Sequence, residues 1–230
     1  VLNYLKEIAD FVGGKEEIAK KAEEMAKTVK QAIETYGTTH IWGLGDVYAY
    51  EVDGFGQYNL MDDANVPSLL AMSYLGYEPE SQEVADNTRK LILSEANPFY
   101  YSGTKLSGIG SPHTPDQYIW HIALTMQGLT SDGEEERKEL LETLLATDAD
   151  CKVMHEGFDC QDPKKFTREW FAWANSLFED NAEFGLGMHV AAETIRHRIH
   201  KIMEDTVDQV PNALAALYKD WIEFKDNREK

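Results

Sequence analysis

Residues 166–176 read FTREWFAWANS, eleven positions that hold Arg168, Glu169, Trp170, Phe171, Trp173 and Asn175. A carboxylate and a guanidinium beside indole and phenyl rings can grip a ring that has apolar faces and polar edges. Sugars are such rings: their C–H faces stack on aromatics, and their hydroxyls pair with carboxylates, Arg and Asn. The plainer alternative is a capped core helix whose Arg168 and Glu169 are solvated. Three more stretches carry residues of the same kind: Asp62 and Asp63 in MDDANVPSLL, His113 in GIGSPHTP, and His155 with Glu156 in MHEGFD. Of the adjacent aspartates, one is expected to cap a helix and the other to be free for hydroxyls. His113 and His155 suit hydroxyl recognition, with a solvated loop position as the alternative. Trp120, Trp170 and Trp173 are expected to serve the core first, with one or two at most reaching a ligand. No HExxH or comparable metal-ligating cluster occurs, and His189, His197 and His200 read as surface residues.

The elements that must position these side chains follow from hydrophobic period. Leu2, Leu5, Ile8 and Ala9 form a helical stripe that stops at Gly13-Gly14. Residues 15–36 predict a long amphipathic helix, with Ile18, Ala22, Met25, Ala26, Val29 and Ile33 at three- and four-residue steps. Alternation at Tyr48, Tyr50 and Val52, followed by Asp53-Gly54, predicts a short β-hairpin. Further helices are expected over residues 62–76, 82–95, 115–129 and 134–147. Pro115 suits a first helical turn, and Thr167 is expected to cap a helix that carries Glu169 near the positive end of its dipole. Two plain amphipathic helices with Pro211 between them are expected beyond Phe178. The helices fed by long polar-aromatic loops recur about every 50 residues, which predicts an all-α ring of paired antiparallel helices with the rich loops at one end.

At 230 residues the chain is long enough for one domain with a real core, or two small ones. Lys+Arg 22 against Asp+Glu 41 gives a net charge of −19, a poor surface for nucleic acid or an anionic membrane and a suitable one for neutral or cationic partners. Cys151 and Cys160 match no CxxC pattern, so free thiols in a reducing, cytoplasmic setting are expected. No apolar run approaches the roughly 18 residues of a membrane span. No charged-then-apolar leader is seen, and the sequence opens at Val1 inside a helical pattern, so an incomplete gene product is expected.

Taken in order, YEVDGFGQYN (50–59), MDDANVPSLL (61–70), GIGSPHTP (108–115), MHEGFD (154–159) and FTREWFAWANSLF (166–178) resemble glycoside hydrolase family 125. That resemblance implies a metal-independent, cofactor-free exo-α-1,6-mannosidase built as an (α/α)6 barrel, of which residues 1–178 would be the C-terminal part and 179–230 a helical tail of unclear relationship. It implies inverting hydrolysis of terminal mannose in a mannose-containing oligosaccharide, with Glu169 as general base and Glu156 as the alternative. Asp62, Asp63, Asn65, His113, His155, Arg168, Trp120 and Trp170 are then the substrate-binding set. The family's tryptophan-leucine-arginine-aspartate and serine-aspartate-aspartate segments are absent, and the second is where the catalytic acid is expected. A mannose-binding remnant without turnover is therefore the alternative, and a second copy could complete the ring.

Overall fold

The computed structural model describes residues 1–104 and 106–184. One compact unit runs from Val1 to Asn181. Helix α1 (Leu2–Val12) turns through Gly13 and Gly14, at φ 72° and 65°, into α2 (Glu16–Tyr36). Glycine takes that backbone region at no steric cost, so the two helices fold back on each other over a short link. Ala9 of α1 and Ala19 and Ala22 of α2 are buried between them.

Two antiparallel hairpins follow where one is expected. Strand β1 (Thr38–Ile41) pairs with β2 (Gly45–Tyr48), and β3 (Glu51–Val52) pairs with β4 (Tyr58–Asn59). The Asp53-Gly54 turn belongs to the second: the Asp53 carboxylate accepts the amides of Phe55 and Gln57 at 2.7 and 3.0 Å. Helix α3 (Gln82–Ile92), capped by the Ser81 hydroxyl, packs on β2. The loop expected after it contains a hairpin of β5 (Tyr100–Ser102) and β6 (Ser107–Ile109). Strand β7 (Tyr118–Trp120) leads straight into α4 (His121–Leu129), which packs on α5 (Glu134–Ala146). Helix α4 is enclosed on nearly every side, and Ile122, Leu124 and Met126 are at the centre of the core with Leu144 of α5. Strand β8 (Gly157–Asp159) lies between β7 and β9 (Phe166–Thr167) in a three-stranded antiparallel sheet, and α6 (Ala172–Phe184) follows.

The all-α expectation is therefore corrected: the helices are joined by short antiparallel sheets. Three of the loop-fed helices also move. Residues 62–76 fold as successive turns. The helix expected at Pro115 begins at His121, because Tyr118, Ile119 and Trp120 pair with residues 157–159 instead. Thr167 is a strand residue, Arg168 sits at φ 46°, and the helix starts at Ala172. Glu169 thus stands outside the helix. β-branched and aromatic residues follow a neighbouring strand when one is present, and that neighbour is remote in the chain. The expected tail helices with His189, His197 and His200 lie outside the described residues.

Candidate functional site

The four motifs meet through a continuous line of contacts that starts at the paired aspartates. Asp62 is fully buried, and its two carboxylate oxygens accept the amides of Leu69 and Leu70, each at 2.9 Å. It is the cap of this turn-built segment. Burial pushes its pKa up to about 7, against the pull of those amides. Asp63 points elsewhere, where both its oxygens accept from Asn65 Nδ2 at 3.1 Å. Asn65 in turn reaches the Ser111 hydroxyl at 3.4 Å. The Tyr50 hydroxyl belongs to the same corner: burial raises its pKa, and the Asp63 and Asp62 carboxylates add to the rise.

Ser111 carries the line onward. Its hydroxyl accepts the amide of His113, whose side chain is exposed, and its carbonyl accepts the Thr114 hydroxyl. Thr114 Oγ1 takes the Trp120 indole N–H at 2.9 Å. Trp120 is only 2% exposed and meets Phe171 edge to face, with ring centroids 6.1 Å apart. Gly157 lies against that indole so closely that an added Cβ would stand 2.9 Å from Cδ1. On the same strand system, Glu156 donates its amide to Thr167 O, and its carboxylate is paired with Arg168 Nε at 3.4 Å. The Arg168 guanidinium also lies over the Phe171 ring, 5.5 Å from its centroid. Arg168, expected among the substrate-binding residues, is therefore paired with Glu156.

Glu169 and Trp170 are exposed. The Glu169 carboxylate is close to Cys151, whose thiol is raised first by burial and then by the charges of Glu169, Asp148 and Asp150. His155 is fully buried, expected as a hydroxyl ligand but occupied on both ring nitrogens. Nδ1 faces Glu169 O at 2.5 Å and Nε2 faces Asp148 O at 3.1 Å, and the ring stacks on Phe166 at 3.9 Å. Asp62, Trp120 and His155 thus spend their polar atoms on the chain's backbone and on Thr114, Asp63 pairs with Asn65 and Glu156 with Arg168, and His113, Glu169 and Trp170 are exposed.

Sequence reasoning passed over Ser111 and Thr114, which link two motifs although both stand in GIGSPHTP beside His113. It also read Asn175 as a partner for hydroxyls. The Asn175 amide instead clasps Met154, accepting its N–H at 3.0 Å and donating to its carbonyl at 2.9 Å. A separate cavity of about 110 Å³, lined by Leu69, Met72, Tyr77 and Arg89 among others, includes none of the candidate residues.

Chemically, the linked motifs carry carboxylates, an amide, an imidazole, a guanidinium and aromatic rings, residue types that suit a polyhydroxylated ring. Comparison with known proteins agrees with that chemistry. The family model for the metal-independent alpha-mannosidases (GH125) matches residues 1–182. A solved metal-independent alpha mannosidase of Streptococcus pneumoniae, in a non-productive complex with α-1,6-mannobiose, is 42% identical, with a TM-score of 0.73 over 80% of this chain and 44% of that one. The Meiotically up-regulated gene 157 protein of Schizosaccharomyces pombe is 46% identical over 168 residues, 73% of this chain and 33% of that protein. The chain thus spans less than half the length of either. A shorter match, 44% identical over 62 residues, links 25% of the chain to 5% of a pyruvate-flavodoxin oxidoreductase of Enterobacter agglomerans. On the family match over residues 1–182, the chain belongs to the metal-independent alpha-mannosidases, glycoside hydrolase family 125.

Proposed function

We propose that this chain carries the sugar-gripping and base-bearing side of an exo-acting α-1,6-mannosidase that works with inversion, as part of an (α/α)6 ring. The observation that supports it is the joining of four sequence motifs in one line of contacts, from Asp63 and Asn65 through Ser111 and Trp120 to Glu156 and Arg168. Glu169 is the general base in this reading, with Glu156 as the alternative. Its exposure keeps the carboxylate hydrated and able to activate a water. Glu156, paired with Arg168, fits better as a hydroxyl ligand. An inverting reaction needs a second carboxyl group about 6.5–9.5 Å away, to protonate the leaving oxygen. No serine-aspartate-aspartate segment stands within residues 1–230 to supply it.

The test is hydrolysis of α-1,6-mannobiose by the parent and by Glu169→Gln. Loss of a general base is expected to slow turnover by about 10²–10⁴-fold. Equal rates in the two proteins would remove the assignment. The missing acid segment favours a second reading, a mannose-binding protein without turnover. Calorimetric binding of mannobiose with no hydrolysis by the parent selects that reading. Cys151 and Cys160 are unbonded, which fits a reducing, cytoplasmic setting.

A further inference from the structure

Around Glu169 the backbone runs through a conformation that the residues themselves do not favour. Arg168 stands at φ 46°, in the left-handed region that a side chain with a Cβ enters at a cost. Such a conformation persists where neighbours over-determine it. Two bonds hold the stretch between β9 and α6. Phe171 donates its amide to Met154 O, and Glu169 O faces the ring of His155.

We propose that His155 is the positioning residue for Glu169, its imidazole fastening the Glu169 backbone so that the carboxylate is presented at a set place. The proposal rests on the reading of Glu169 as the base. The ring is fully buried, lies nearly parallel to Phe166 with 6° between planes, and has a backbone carbonyl at each nitrogen. A backbone carbonyl faces each ring nitrogen, so neither nitrogen is left free for a sugar hydroxyl. The ring is itself anchored from α4. The His155 amide donates to His121 Nδ1 at 2.8 Å, and His121 Nε2 lies 2.9 Å from Thr147 Oγ1, which donates to Thr143 O at 2.9 Å. His121 is held neutral, because burial and the neighbouring His155 push its pKa down to about 3. A neutral His121 accepts at Nδ1 and donates at Nε2, the tautomer this chain of bonds requires. The core helices are thereby connected to the Glu169 backbone through two histidines.

Two substitutions separate this role from that of a ligand. His155→Asn keeps an amide nitrogen near the Nδ1 position and so retains the bond to Glu169 O. His155→Gln places its amide nearer the Nε2 position and reaches only Asp148 O. Misplacement of a catalytic group by about 1 Å costs up to about 10²-fold. On that basis His155→Gln is expected to lower kcat on α-1,6-mannobiose about ten-fold or more, with KM within about three-fold. His155→Asn is expected to recover most of the loss. Amide exchange over residues 166–171 should quicken in His155→Gln but not in His155→Asn, with α3 and α5 unchanged in both. Unchanged exchange over 166–171 in His155→Gln overturns the proposal. So does a matching loss of mannobiose affinity in both variants, which marks a direct ligand, or a loss of protection that spreads through α3 and α5. If the parent lacks turnover, the exchange comparison decides alone. If Glu169→Gln turns over normally, the base reading fails while the exchange result still reports on the fastening.

Discussion

Asp62 spends both carboxylate oxygens on backbone amides, whereas its neighbour Asp63 shares its own with the half-buried Asn65. Removing Asp62 leaves two amides without acceptors, and each unpaired buried group costs about 1–3 kcal/mol. Asp62→Ala is therefore expected to lower stability in urea by at least about 1 kcal/mol. Asp63→Ala should lower the urea midpoint less than Asp62→Ala, because its partner Asn65 is only half-buried, and should weaken mannobiose binding in calorimetry. A drop in stability for Asp63→Ala as large as that for Asp62→Ala would mean that both residues are structural. The pH dependence follows from burial. The folded-state pKa of Asp62, about 7, lies above the ordinary 3.8. The folded protein keeps that proton longer than the unfolded chain, so the contribution is complete below the unfolded value and is lost as pH rises through the folded one. Asp62→Asn cannot ionise, so its stability should change less between about pH 4 and 7 than that of the parent. Urea unfolding across that range measures it. At this scale the sequence showed which residue types were present, and the backbone path decided their tasks. MDDANV reads the same whether the first or second aspartate is the cap.

The sheet β7–β8–β9 is the element that brings the motifs together, since it sets Trp120 beside Gly157 and Gly157 beside Thr167. Gly157 is required by the indole rather than by its own backbone angles. A methyl group there would stand 2.9 Å from Trp120 Cδ1 and 3.1 Å from Nε1. Gly157→Ala is thus expected to push Trp120 off its bond with Thr114, at a cost of about 1–3 kcal/mol. A changed near-UV circular dichroism band together with a lower urea midpoint would report it. An unaltered tryptophan signal would show that the sheet yields instead. Helices α2, α3 and α5 were legible because their apolar residues repeat at three and four, and in α3 and α5 that face meets the core. This sheet was not, because its strands have only two or three residues each and β7 pairs with β8 across about forty positions of chain. Periodicity within a window carries no trace of such a partner.

At the scale of the whole molecule, the first two helices leave a broad apolar face in water. Tyr4, Ile8 and Phe11 of α1, with Ile18, Met25 and Val29 of α2, are exposed, Phe11 at 93%. Contiguous apolar surface of this kind marks an interaction site, although a net charge of −19 opposes non-specific clustering. The chain is expected to associate with a second copy through this face. Sedimentation velocity should show a mass that grows with concentration, and the double substitution Phe11→Glu with Met25→Glu should return it to the monomer. Monomers at all concentrations in the parent would exclude the surface as a self-association site. Among the described residues, no helix is long and apolar enough to cross a membrane. The sequence by itself determined the family, the charge, the long helices and the residue types that suit a sugar ring, because motif and period are local properties of a chain. Tertiary structure alone decided that Asp62 is the cap, that Arg168 answers Glu156, that His155 is buried under Phe166, and that Glu169 stands before its helix. Each of those outcomes depends on which group from another segment arrives within reach, and for Asp62 and His155 burial then leaves the polar atoms no partner except the chain itself.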